Sequence, residues 1–268
     1  MAQVTTINKF TYNMQALQCM FRVILALALR EIHTIYGGTK LGYMWVIVRM
    51  TFSIAFVWAL RFFVHYHVSH NMPVLVFMTC GFGIWFIVID IILKNMSAIE
   101  GNKNLLTFPQ VFPLDIMIAR SLVVTSTNLI TLIILIGIGL CLGTKIAFDK
   151  IHLFILAIFL ATVFSLGCGA ILSALAAFIP ALHNIAPMLF RIIMLLSGVF
   201  IPVELFAKFT GNWIFYNPIY QFIEMLRSSL TVGYVSLNFH IPYLLCVCLS
   251  VLTTGLLLER FIRKRLQK

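Results

Sequence analysis

The stretch LREIHTIYGGTKLGYMW, Leu29 to Trp45, carries a charged helical segment up to two glycines and then runs straight into apolar sequence. At about 100° per residue, Arg22, Arg30 and His33 fall in one wedge, while Leu25, Leu29, Ile32 and Tyr36 form the adjacent apolar stripe. A helix of that make lies along a membrane surface rather than through it. Gly37 and Gly38 accept backbone angles that stop a helix, and Leu41 opens a crossing. The stretch therefore predicts an interfacial helix over 14–37, joined without a linker to a first membrane span.

Composition supports an integral membrane protein. Of 268 residues, 62% are hydrophobic and only 10% charged, more apolar side chain than one soluble core can hide behind a polar surface. Six runs approach the roughly 20 helical residues that cross about 30 Å of hydrocarbon: Leu41 to Val64, Val74 to Leu93, Ile116 to Leu142, His152 to Ile179, Ile185 to Ile201 and Ile241 to Leu258. The runs are continuous, without the period-2 alternation of a barrel, so they read as helices. The expected fold is all-α, a single polytopic domain over 1–268 with six transmembrane helices, the interfacial amphipathic helix, and short re-entrant helices before the last span.

An even number of spans puts both termini on one side. With the ends inside, Lys9, Arg22, Arg30, Lys40, Lys94, Lys103, Arg120, Arg191 and the basic tail from Arg260 to Lys268 face the cytoplasm, against Lys145, Lys150, Lys208 and Arg227 outside. The positive-inside rule selects that orientation. It also assigns the net charge of +11 to the cytoplasmic membrane face rather than to a nucleic-acid partner. The first residues carry no charged-then-apolar pattern with a small-residue cleavage site, so no removable signal is expected and the first span directs insertion.

Charges inside spans are costly and point to function or pairing. Arg49 lies about two turns into the first span, where it either snorkels or faces a hydrated interior and meets an anionic lipid-linked or acidic glycan. Arg61, near the outer end, snorkels. Asp90 stands four residues before Lys94, the spacing of a local helix pair. The segment 202–240 is too apolar for a free loop, yet Gly211, Asn217-Pro218 and Glu224 interrupt it too often for a clean crossing. Helices dipping into the outer face meet both constraints if they are buried in protein or line a wet cavity. Trp213, Tyr216, Tyr220 and Phe222 there suit an interfacial aromatic belt or stacking on sugar rings, and Glu224 with Arg227 is spaced as a local pair.

Small residues recur at Ser165, Gly169, Ser173 and Ala177, a row that lets another helix approach, within one subunit or between two. Cysteines 19, 80, 141, 168, 246 and 248 lack zinc spacing and read as packing residues. His65, His67 and His70 cluster in the first outer loop without a second group to complete a site, so no metal is expected. The acidic set and repeated halves of an ion-coupled secondary transporter are not evident, nor are D-x-D or G-x-S-x-G motifs of a membrane-embedded enzyme.

The succession Arg30-Glu31-Ile32, Tyr36, Lys40-Leu41-Gly42 and Trp45 resembles the N-terminal signature of the permease subunit of type-2 ABC exporters, those for capsular polysaccharide above all. NKNLLTFPQVFPLDIMIAR, Asn102 to Arg120, is similar to that family's loop between spans two and three, and YNPIYQFIEMLRSSLTVGY, Tyr216 to Tyr234, to the segment before its last span. Arg49-Met50 stands where family members often carry Glu-Pro. The resemblance implies a permease that is not itself an enzyme. A homodimer would be joined to two ATP-binding cassette subunits that hold ATP and magnesium, with periplasmic export proteins as further partners. Consistently, the sequence has no G-x-x-x-x-G-K-[ST] phosphate cradle, and no cofactor is expected on this chain.

The same resemblance makes Arg30, Glu31, His33, Glu100, Lys103 and Asp115 candidate contacts for the ATPase subunit, with Pro109 and Pro113 stiffening the loop. Arg49, Trp213, Tyr216, Tyr220, Phe222 and Glu224 are candidates for the substrate path. The implied function is export of capsular polysaccharide, lipid-linked, across a bacterial inner membrane. O-antigen or teichoic acid export is the near alternative and an ion-coupled secondary transporter the alternative from another class.

Overall fold

A computed structural model describes residues 18–34, 42–64, 72–102, 112–144, 146, 150–200, 212–231 and 239–266. Among these the chain is helical, without strands: α1 (18–34), α2 (Gly42–Val64), α3 (Val74–Met96), α4 (Pro113–Cys141), α5 (Ile151–Ala176), α6 (Leu182–Leu196), α7 (Pro218–Leu230) and α8 (Ile241–Leu266), with 3-10 turns at Glu100–Asn102 and Asn212–Tyr216. Five of them, α2, α3, α4, α5 and α8, are long and apolar enough to cross a membrane. The element expected to span Ile185 to Ile201 is α6, only 15 residues, about 22 Å of helix against about 30 Å of hydrocarbon. Pro187 lies inside it, where proline has no N–H to give to the carbonyl four residues back.

Helix boundaries follow local chemistry. Pro113 opens α4 at a position where an N–H is spare, and the Asp115 carboxylate accepts the Phe112 backbone N–H at 3.1 Å. Asn217 caps α7 by accepting the Ile219 N–H at 3.0 Å. α8 continues beyond the apolar run expected to end at Leu258, reaching Leu266, because Glu, Arg, Lys and Leu are all good helix formers.

α3 is the hub, packed on α2, α4, α5, α6 and α7. Its neighbours approach closely where side chains are small. A Cβ on Gly169 of α5 would lie 2.7 Å from Asn95 Cβ of α3, and one on Gly167 would lie 2.8 Å from the backbone N of Leu252 in α8. Ser165, Gly169 and Ser173 are buried, so this part of the small-residue row serves packing within the subunit. Ala177 is exposed.

α1 lies across the ends of the bundle where α3 finishes and α4 begins. Leu27 packs with Ile99, Ile116 and Met117, and Val23, Ile24 and Ala28 flank that contact. Ala28 and Ile32 also touch a pair formed by Val46 of α2 and Val123 of α4. Leu25 and Leu29, members of the expected apolar stripe, are exposed, as is Phe21. An apolar outward face is what a helix resting on lipid presents.

Candidate functional site

Three polar clusters interrupt the apolar bundle. The first fastens α1. The Glu31 carboxylate, 2% exposed, takes the Arg120 Nε–H of α4, while Arg120 Nη1 donates to the Lys94 carbonyl at the end of α3, 2.7 Å away. Arg30 Nη2 donates to Asn102 Oδ1 at 2.8 Å, and Asn102 Nδ2 donates back to the Ala98 carbonyl at 3.0 Å. Two buried charges that satisfy each other and a helix-end carbonyl hold three elements in one arrangement. Removing Glu31 would leave Arg120 without its carboxylate, whereas removing Arg120 would leave Glu31 only the Arg30 Nη2, 3.4 Å from Oε2.

Of the residues expected to meet an ATPase subunit, Glu31 and Asp115 are therefore buried and engaged within the chain. Arg30 is half-buried on Asn102 and His33 is exposed. Glu100 begins the 3-10 turn beneath α1. Lys103 and Pro109 lie outside the described residues, as do His65, His67 and His70.

The second cluster lies two turns into the bundle from the α1 end, about 10 Å along each helix. Arg49 of α2 grips Asp90 of α3 with both arms of its guanidinium, Nη1 to Oδ1 at 3.0 Å and Nη2 to Oδ2 at 2.5 Å. Its Cζ stands 4.2 Å from the centroid of the Phe86 ring. Asn128 of α4 approaches the same Asp90 oxygen at 3.5 Å. Asp90, expected to pair along its own helix with Lys94, also gives both oxygens to Arg49 of a different helix, and Lys94 still feels its charge. Planar fork and carboxylate match in a way an ammonium cannot, and the expected spacing rule sees only one helix at a time.

The third cluster ties α7 into the opposite end. Arg227 is fully buried. Nη1 donates to Glu224 Oε1 at 2.9 Å, and Nη2 to the carbonyls of Gly198 at 2.9 Å and Phe77 at 3.3 Å. The guanidinium lies 3.4 Å from the Phe77 ring centroid. Gln221 bridges the Phe215 carbonyl at 2.8 Å and the His240 N–H at 3.1 Å. The Glu224–Arg227 pair expected from spacing is present, joined to α3 and to the end of α6. Glu224 is buried with it.

The four aromatics of this region divide. Tyr220 and Phe222 are buried, Phe222 against Phe164 with ring centroids 5.7 Å apart. Trp213 and Tyr216 keep 85% and 64% of their surface exposed, so only these two offer a ring to anything outside the subunit. The Tyr216 carbonyl accepts the Tyr243 hydroxyl at 2.7 Å, which steadies that rim on α8.

Arg120, which the sequence marks only as a cytoplasmic charge, and Asn102, Asn128 and Gln221, which it does not mark at all, are the partners the clusters are built on. Their signal was available in one form, a polar side chain within or beside an apolar helix that must find a partner. Which partner depended on the fold.

Long apolar helices, an amphipathic helix clamped to their ends and charges buried in pairs define a polytopic helical membrane protein. The chain belongs to the ABC-2 type transporter family, whose sequence profile matches residues 22–231. Relatives include the polysialic acid transport protein KpsM of Escherichia coli, 27% identical over 235 residues, or 88% of this chain and 91% of that one. The capsule polysaccharide export inner-membrane protein BexB of Haemophilus influenzae is 25% identical over 256 residues, covering 94% and 96%. The inner-membrane protein CtrC of Neisseria meningitidis serogroup B, also named for capsule polysaccharide export, is 24% identical over 242 residues, covering 89% of each chain.

Proposed function

We propose that this chain is the membrane-spanning subunit of an ATP-driven exporter that moves capsular polysaccharide across a bacterial inner membrane. The observation that carries the reading is similarity over 88–94% of this chain, and 89–96% of theirs, to several proteins named for that transport. ATP is bound and hydrolysed by separate subunits, and two copies of this chain enclose the path, since a symmetric pair is the commonest way to close one. Both termini lie in the cytoplasm, where the positive-inside rule puts the basic residues. α6 with the residues after it forms a sixth crossing, and α7 with the Asn212–Tyr216 turn dips into the outer face.

In this reading the α1 clamp transmits the ATPase stroke. The ATPase subunits press on His33, Arg30 and the loop that includes Glu100 and Lys103. Glu31 and Asp115 act from within, one by binding Arg120 and the other by fixing the start of α4. Motion at the surface then reaches α3 and α4 together, because Arg120 touches α1 and both of those helices. Such coupling needs two arrangements whose energies ATP distinguishes.

The test uses inside-out vesicles holding the chain and its ATPase subunit, with polysialic acid added outside. ATP-dependent uptake that vanishes with an ATPase-dead partner is expected. Uptake that proceeds without ATP and collapses with a protonophore would instead make the chain a secondary transporter. Arg120→Gln should lower polymer moved per ATP hydrolysed while the ATPase subunit still binds the membrane.

A further inference from the structure

We propose that the Arg49–Asp90 pair is a carboxylate-exchange site: Arg49 reads the carboxylates of an acidic glycan, and Asp90 holds its place while the path is empty. This rests on the glycan-export reading above and adds the charge class of the cargo and the residue that selects it.

The geometry of the pair is that of a carboxylate receptor already occupied. A guanidinium whose two Nη arms meet both carboxylate oxygens has the bidentate fit that selects carboxylates over single-point anions. The Phe86 ring beneath it keeps the fork flat and in place. The two partners are unequally enclosed. The Arg49 side chain is 37% exposed and that of Asp90 13%, so the guanidinium is the member an incoming group can reach.

The helix that carries Arg49 is also, equally with α8, the least buried of the long helices. Only 17% of the apolar stretch of α2 is buried, against 83% for α3. Trp45, Val48 and Phe52, which flank Arg49 on α2, are exposed.

The exchange leaves no stranded charge. A bare arginine at this depth is costly, and Asp90 neutralises it in the waiting state. When a sugar carboxylate takes the fork, Asp90 keeps Asn128 Nδ2 beside one oxygen, and Lys94 lies four residues along the same face of α3. A carboxylate thus replaces a carboxylate, and each retains a donor. Successive acidic residues of a polymer can repeat the step without any register being preferred. A neutral glycan has nothing to offer the fork and leaves the pair closed.

The test compares polysialic acid with the same polymer after reduction of its carboxyl groups to alcohols. Binding and polymer-stimulated ATP hydrolysis are measured on the permease–ATPase complex in vesicles of neutral lipid, then in vesicles containing an anionic lipid. Wild type should favour the native polymer. Arg49→Gln should weaken that preference about tenfold, the scale of one charge-assisted contact, and Arg49→Lys should recover part of it. Asp90→Asn, which removes the competitor, should tighten binding of the native polymer several-fold, because a site freed from its internal ligand is more often competent. The exchanged pair Arg49→Asp with Asp90→Arg keeps an ion pair and a folded protein, yet should not restore the preference. An infrared band of the Asp90 carboxylate, identified by its loss in Asp90→Asn, should shift when the native polymer binds.

Full recovery of binding and export in the exchanged pair would overturn the proposal, leaving a structural pair. Equal loss of native and reduced polymer in Arg49→Gln would overturn it too, as would a preference that depends on anionic lipid rather than on the polymer's carboxylates. In each of those cases the export reading survives. A wild-type complex indifferent to every glycan would remove both.

Discussion

α2 and α3 are both 23-residue helices rich in aliphatic and aromatic side chains, and the bundle treats them in opposite ways. α3 buries most of its surface among five neighbouring helices, whereas α2 buries Val46, Met50 and Ile54 and leaves Phe52, Phe56 and Trp58 exposed. In lipid, an apolar face gains little by choosing protein over acyl chains, so burial follows close packing and polar contacts rather than greasiness. α3 has the small residues Gly81 and Gly83 facing neighbours at close range, and it takes polar contacts from Ser121, Arg49, Asn128 and Arg227. α2 adds one bidentate ion pair, Arg49 to Asp90, to its apolar contacts with α3 and α4. The difference separates a fixed post from a helix free to meet lipid, a second copy or cargo.

The contrast can be broken most severely at Arg227, which lashes α7 to the first turn of α3. Arg227→Met should cost about 3–5 kcal/mol, the penalty for stripping a buried carboxylate of its charged partner, read as a lowered midpoint of denaturant unfolding in detergent. A smaller effect, about 2–4 kcal/mol, is expected for Ile87→Ala in α3, where no neighbour can collapse fully into the space. Phe56→Ala on the exposed face of α2 should change the same midpoint by less than about 1 kcal/mol. A large loss there, together with a change in oligomeric mass, would mean that a second copy covers α2.

Gly169→Val tests the α3–α5 contact, since its Cβ would meet Asn95 at 2.7 Å. Overpacking of this kind costs about 1–3 kcal/mol, and restoration by Asn95→Ala would identify the contact responsible. The gentlest change is Thr125→Val. Its hydroxyl sits 3.1 Å from that of Thr162, at a groove of about 420 Å³ between α4 and α5. Interhelical hydrogen bonds in membranes are worth about 0.6 kcal/mol on average, so a loss well above that would show the pair is coupled to wider packing.

Much of the bundle was legible in the linear order of residues. Four of the five long helices lie within a few residues of the apolar runs, and α8 overruns its own to Leu266. α6 is shorter than its run suggested, because hydropathy records composition and not where backbone hydrogen bonding ends. Among candidate site residues, burial of Tyr220, Phe222, Glu31 and Asp115 could not be read from one helix's periodicity. Glu31 faces Arg120 and Phe222 faces Phe164, both distant in sequence.

From the residues alone came the medium in which this protein lives, the place and approximate length of its long helices, and the amphipathic helix that precedes them. Those depend on local hydrophobicity and backbone preference, which act over one or two turns. Which charges neutralise which, and which helix is held fast, were decided only when α1, α3 and α4 met at Arg120 and α2 met α3 at Asp90. An ion pair is a property of two positions in space, and chain order carries no measure of that distance until the helices have packed.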